Sequence, residues 1–177
     1  MANYSHYDQL LSGNLPNIFN PDFAGGSLMD INYYNIYLNI ALFGTPKSAI
    51  YHPNLYQEKI DTSGIMILRY DDSISEAVGA KDTWGVNFFQ IEGERGYIYI
   101  EGGSNGIAQV KVVTKEREET LNEQSSPDRW FYEVQNLTGF LLRDDREAIG
   151  QRLRVMLDVV KTMESARKKA GILFPGD

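Results

Sequence analysis

Three side chains on one stretch of the chain have types and spacing that could do chemistry together. Asp30, Tyr34 and Tyr37 stand at i, i+4 and i+7, so on a helix all three project from one face. A carboxylate and two phenols on one stripe can hydrogen-bond a polyol or a carbonyl compound. A tyrosine beside a carboxylate can also pass a proton to a developing alkoxide. Gly25 and Gly26 come just before. Glycines there let a ligand approach the backbone and leave the first helical N–H groups open to an oxygen atom. Spacing alone also describes a plainer object, with Asp30 as a helix cap and the tyrosines as amphipathic packing.

The element carrying these residues is legible. Ser27 can serve as N-cap with Asp30 reaching back as in a capping box, and Leu28, Ile31, Tyr33/Tyr34, Leu38, Ala41 and Leu42 recur at helical spacing. Gly44 ends the pattern and Pro46 follows it. Before it, residues 1–24 mix Asn, Ser, Gly and Pro with isolated apolar residues and read as an N-terminal arm.

The middle third predicts strands at Ser48–Tyr56, Gly64–Tyr70, Ser73–Ala80, Gly85–Glu92, Arg95–Glu101 and Gly106–Val113, separated by Asp- and Gly-rich turns. Breaks this short allow mostly antiparallel neighbours, because a parallel crossover needs about a dozen residues. In Ile65–Leu68 and Tyr97–Ile100 both alternating sets are apolar or aromatic. Two accounts of that stand: scattered tyrosines on a wet face, or a subunit interface on the open face. Lys115–Asp128 reads as an exposed connection. A helix follows with Trp130, Val134, Leu137 and Leu141 on one face. Asp144 and Glu147 then suggest a second capping box, opening a helix with Ile149, Leu153, Met156, Val160 and Met163 inward and a solvated Arg167-Lys168-Lys169 end. The fold class is α+β: a large, mainly antiparallel open sheet of about six strands with helices packed on one face.

Composition bounds the function. The 177 residues carry a net charge of -7, which argues against nucleic acid as a partner. With no cysteine and only His6 and His52, neither thiolate-held nor His-rich metal sites can form. No apolar run approaches the roughly 20 residues of a membrane span, and the start has no signal-peptide pattern, so a cytoplasmic location is expected. The Gly102–Gly106 run lacks the G-x-G-x-x-G spacing and opens no helix, so it is expected as a hairpin turn.

The residues 24–44, AGGSLMDINYYNIYLNIALFG, resemble the segment opening the C-terminal domain of the Gfo/Idh/MocA oxidoreductases: a Gly-Gly pair, a small residue, Leu, any residue, Asp, any, Gly, any, then His or Tyr. Ile91–Ile98 is similar to that family's sheet motif, Trp130–Glu133 to the start of its next helix, and Gly171-Ile172 to its final helix end, so the likeness covers residues 4–174. It implies residues 1–24 as an arm continuing from a missing N-terminal Rossmann domain, and residues 25–177 as a substrate-binding and dimerisation domain. The chain has no dinucleotide fingerprint and no Glu-Lys-Pro motif; Glu58-Lys59-Ile60 is no substitute. No cofactor is therefore expected in this chain, with NAD or NADP expected in the full-length protein and the isolated chain inactive.

The likeness also selects residues. In the subgroup resembling glucose-fructose oxidoreductase and dimeric dihydrodiol dehydrogenase a tyrosine replaces the commoner His, and Tyr34 falls there as the proton-transfer candidate. Asp30 matches the family's Asp; Asn35, Tyr37, Gly25 and Gly26 are the further substrate-site candidates. Asn32 departs from the usual Gly, and Tyr37 stands where many members carry Asp or His. The implied substrate is a sugar, cyclic polyol or dihydrodiol, and the implied partner a second copy through the open sheet face. A scaffold module that keeps the fold, or a cofactor-free isomerase or hydrolase using Asp30 and Tyr34, are the rival readings.

Overall fold

Short polar turns make each strand pair with its chain neighbour. In the computed structural model, which describes residues 1–4, 6–57, 59–122, 124–128 and 130–177, β1 (Ser48–Tyr56), β2 (Ile60–Arg69) and β3 (Ile74–Ala80) form one antiparallel sheet in that order. A second antiparallel sheet holds β4 (Phe88–Gly93), β5 (Gly96–Glu101), β6 (Val110–Thr114) and β7 (Glu118–Leu121). Glu58 of the Glu58-Lys59-Ile60 triplet lies outside the described residues. The α+β class and the antiparallel pairing are as expected. The strands number seven rather than about six among the described residues, and they divide into two sheets. The extra strand, β7, lies inside the segment read as an exposed connection; its glutamates masked it. It pairs with β6 in the register Lys111↔Thr120, and Lys111 reaches Glu118 at 2.6 Å.

By internal contacts the chain forms two compact units, Met1–Val86 with Val155–Asp177, and Asn87–Arg154. In the first, Tyr51, Met66, Leu68 and Ala77 face inward from the sheet. They meet Leu28, Ile36 and Ile40 from the site-bearing helix, and Val159, Met163 and Ala166 from α4 (Arg146–Lys169). Burying each of the Leu, Ile, Val and Met side chains among them stabilises the fold by about 1.5–3 kcal/mol. The opposite alternating set on this sheet, including Ile50, Ile65, Ile74 and Val78, is exposed.

The arm is not loose. α1 (Tyr7–Leu11) buries Leu10, and Phe19 is fully buried in a short 3-10 turn at Asn17–Phe19. Residues 1–3 run parallel to the end of β3: the Asn3 N–H donates to the Ala80 carbonyl at 2.8 Å, and the Ala80 N–H to the Met1 carbonyl at 2.9 Å.

In the second unit only Phe89 and Ile100 are buried hydrophobics among the described residues. α3 (Phe131–Leu142) buries none of its residues, and Trp130, Val134, Leu137 and Leu141, placed on one face by their spacing, are exposed. The tyrosine-bearing face of the four-stranded sheet holds an open hollow of about 570 Å³ lined by Gln90, Tyr97, Tyr99, Glu101, Lys111 and Thr120, among others.

Three local expectations are corrected. Asp145, not Asp144, caps α4, its Oδ1 accepting the Ala148 N–H at 3.1 Å; Asp144 adopts a left-handed conformation in the tight turn before it. On α4 only Met163 of the expected stripe is buried, together with Val159, Ala166 and Arg167. Arg167 is no solvated end residue. At 4% exposure it donates to the Ile172 carbonyl and, in a two-pronged contact, to Asp177, and it stacks on Phe174. The chain turning back after Gly171 supplies these partners, which hold the Asp177 carboxyl well below the usual carboxylate range, chiefly through the Arg167 guanidinium. No described helix is long and apolar enough to cross a membrane.

Candidate functional site

The predicted helix starts differently from its sequence signature. Leu28–Asn32 form a π-helical turn, continued by α2 (Tyr33–Phe43). Such wide turns occur mostly as single turns within α-helices, frequently at functional sites. Ser27 makes no side-chain cap, and its hydroxyl is buried without a hydrogen-bond partner. The cap arrives from the sheet instead. Asp61, at the start of β2 and 1% exposed, accepts the Leu28 N–H at 2.6 Å and the Tyr51 hydroxyl at 2.7 Å. Burial pushes the Asp61 carboxyl up to about 6 despite those donors and the Ser27 N–H, and burial beside Asp61 pushes the Tyr51 phenol far above its ordinary range. A carboxylate at a helix start also complements the positive end of the helix dipole.

The helix is held sideways by asparagines. The Asn32 side-chain amide donates to the Ala77 carbonyl, and the Asn35 amide to the Val78 carbonyl, both at 2.9 Å; Asn35 also donates to Asn32 Oδ1 at 2.8 Å. Both carbonyls belong to β3, an outer strand of its sheet. Buried amides that find partners are specific struts, because an unpaired one costs about 1–3 kcal/mol. Gly79 lets the helix come this close: a Cβ there would stand 2.7 Å from the Asn32 Cβ.

This anchoring divides the helix. Leu28, Ile31, Asn32, Asn35 and Ile36 are buried, while Asp30, Tyr34 and Tyr37 are each part-exposed. Of the three residues singled out by spacing, Asp30 and Tyr34 lie outside the core cluster. Tyr33 packs on the core, with its ring edge-to-face with Tyr34 at 5.7 Å and 6.0 Å from Tyr37. Tyr37 also leans on the core cluster. Asn35 is buried and its amide is spent on the strand, so it can act on a substrate only by setting the helix. At Gly25 the room left by the missing side chain is taken by the Ile18 carbonyl, 2.7 Å from a hypothetical Cβ, and at Gly26 by the Asp61 carboxylate. The Gly26 N–H donates to the Ile18 carbonyl at 2.7 Å. The glycine pair therefore serves the closure of arm, helix start and β2 on one another.

Asp30 does not close the capping box expected from its spacing. Its carboxylate pairs with the Lys81 ammonium, whose side chain is 2% exposed against 40% for Asp30. Neither Lys81 nor Asp61 stands out in the sequence as a site residue. A signal for Lys81 exists: Ser75, Ala77, Gly79 and Lys81 form the alternating set that faces the helix, small residues ending in a cation. Asp61, inside the Asp61–Gly64 run, reads as turn chemistry instead. No group of described His, Asp or Glu residues could hold a metal ion.

Comparison with known proteins places this geometry. No family model matches the chain. The chain is 31% identical over 176 residues to scyllo-inositol 2-dehydrogenase (NADP(+)) IolU of Bacillus subtilis, a match covering 98% of this chain and 53% of that protein. It is 30% identical over 173 residues to the uncharacterized oxidoreductase YgjR of Escherichia coli, covering 98% and 52%. The chain spans about half the length of the curated relatives it matches. Among solved structures, KijD10, a 3-ketoreductase from Actinomadura kijaniata in complex with NADP and TDP-benzene, superposes with a TM-score of 0.67 at 15% identity, covering 88% of this chain and 49% of that one. The aldose-aldose oxidoreductase from Caulobacter crescentus, complexed with glycerol, superposes with a TM-score of 0.61 at 15% identity, covering 82% and 46%. These two superpositions show a shared fold. With the sequence matches, they make this chain a homologue of the C-terminal half of the Gfo/Idh/MocA oxidoreductases.

Proposed function

We propose that the chain is the substrate-binding and dimerisation half of an NAD(P)-dependent oxidoreductase of the glucose-fructose oxidoreductase and dihydrodiol dehydrogenase kind. Its substrate is a hydroxyl of a sugar, cyclic polyol or dihydrodiol, and it works in the cytoplasm. The observation that supports this reading most is the match to IolU along 98% of the chain, with Asp30 and Tyr34 on the part-exposed side of a helix anchored from behind.

The described strands pair antiparallel, and no strand–helix–strand crossover builds the crevice in which dinucleotides bind. In this reading the nucleotide is held by an N-terminal Rossmann domain of the full-length protein, where it supplies the hydride chemistry. This chain's part is the substrate side. Tyr34 exchanges the hydroxyl proton, Asp30 accepts a hydrogen bond from the substrate, and Tyr37 forms part of the wall. Asn35, Gly25 and Gly26 set the helix that carries them. The tyrosine-bearing face of the four-stranded sheet, with its open hollow, is the homodimer face in this reading.

Two measurements test it. A panel of polyols, sugars and dihydrodiols assayed with NAD and NADP should show turnover by the full-length protein and none by the 177-residue chain alone. Turnover by the isolated chain, or none by the full-length protein on any member, contradicts it. Sedimentation of the full-length protein should show a dimer; a strict monomer at high concentration removes the interface.

A further inference from the structure

We infer that Lys81 is a positioning residue of the proposed reaction, fixing the Asp30 carboxylate in the orientation in which it receives a substrate hydroxyl. The inference rests on the reading of Asp30 and Tyr34 given above and adds a residue to it.

The argument starts from the cost of the arrangement. Taking an ammonium out of water is expensive, and an apolar side chain of similar volume often serves stability better. Lys81 is nonetheless buried, with its side chain 2% exposed. It lies directly after β3, and its N–H donates to the Thr62 carbonyl at 2.8 Å, so its backbone is tied to β2. Its side-chain ammonium ends on Asp30.

The neighbouring acids have partners of their own, although Asp82 Oδ1 is buried without one. Asp82 Oδ2 accepts from Thr62 at 2.7 Å, Ser63 at 2.9 Å and Asn54 at 3.1 Å. Asp61 is committed to the Leu28 N–H and the Tyr51 hydroxyl. The charge of Lys81 is therefore directed at the one carboxylate that also faces outward, with a side chain 40% exposed.

The consequence is specific. An exposed aspartate on a helix samples several rotamers and offers its oxygens in no fixed direction. Held through Oδ2 by a buried cation, Asp30 loses that freedom, and in this proposal its Oδ1 is the oxygen to which a substrate hydroxyl donates. Asp30 stands one turn before Tyr34, so this acceptor and the phenol can engage two hydroxyls of one substrate. Pre-orientation of this kind acts on productive binding, because misplacement by about 1 Å can cost on the order of 100-fold in rate.

A double-mutant cycle in the full-length protein tests this, with kcat and KM measured on the best substrate of the panel. Lys81→Met should lower kcat/KM about 10- to 100-fold, mostly through KM. In an Asp30→Asn background the same change should have less than about a twofold effect, since the lysine acts only through that carboxylate. Lys81→Arg keeps a cation and should restore kcat/KM to within about fivefold of wild type. Should Lys81→Met not fold, Lys81→Gln carries the test in its place, and a kcat/KM equal to wild type within error then overturns the inference. If Lys81→Met keeps wild-type kcat/KM while Tyr34→Phe is inactive, Lys81 has no positioning role and the functional reading stands. Additive losses in the cycle mean a structural lysine and likewise overturn it. If Tyr34→Phe is fully active, the functional reading falls and takes this inference with it.

Discussion

The two compact units bury different things. Every buried polar or charged residue among those described, including Asn32, Asn35, Asn39, Asp61 and Lys81, belongs to the first unit, as do all the buried hydrophobics except Phe89 and Ile100. The first unit therefore closes a core and also ties its site helix to the sheet through paired polar groups. Such groups contribute orientation at little net gain in stability. The second unit does neither. Its helix α3 leaves Val134, Leu137, Leu141 and Leu142 exposed, and its sheet carries tyrosines around an open hollow. The contrast is one of packing: the first unit closes a core around paired polar groups, and the second leaves apolar side chains exposed.

The largest expected effect that would break this comparison is on stability. Met66→Ala or Leu68→Ala, both at fully buried positions of β2, should destabilise the chain by about 2–5 kcal/mol. Val134→Ala or Leu137→Ala on α3 should stay within about 0.5 kcal/mol. Urea unfolding reads both. Equal losses in the two units would mean that the second is as well packed as the first.

A smaller effect sharpens the picture of the site. Burial raises the Asp61 carboxyl to about 6 from an ordinary 3.8. Between those values the folded chain holds a proton that the unfolded chain has released. The stability that Asp61 contributes is then full below about pH 4 and is lost as pH rises through about 6. Chemical denaturation from pH 4 to 7 should show this decline, and Asp61→Asn should flatten it. An unchanged slope in the variant would assign the pH dependence to another group.

Much of the fold was legible, because it rests on local signals. Gly44 and Pro46 end α2 where expected, and the Gly93–Gly96 turn joins β4 to β5 as a two-residue hairpin. Two failures share one cause. Ser27 and Asp30 carry the letters of a capping box, yet Asp61 accepts the N–H groups at the helix start and Lys81 engages the Asp30 carboxylate, both partners more than 30 residues away in the chain. Likewise the Arg167 cluster looks like a solvated end until the returning tail covers it. Local propensity is outvoted wherever a tertiary partner satisfies the same donor better. At the site, the spacing of Asp30, Tyr34 and Tyr37 drew attention to three part-exposed residues of one helical segment, of which Tyr37 also packs on the core. What it could not carry is which residues stand behind them, since those come from β2 and β3.

The account turns on Tyr34 as the group that exchanges the substrate proton, and two single-atom deletions in the full-length protein test it side by side. Tyr34→Phe should lower kcat by about 100-fold or more, in keeping with the loss of a general acid–base, whereas Tyr37→Phe, which removes a phenol leaning on the core, should stay within about tenfold. Equal and small losses for both would contradict the account and leave the tyrosines as packing residues.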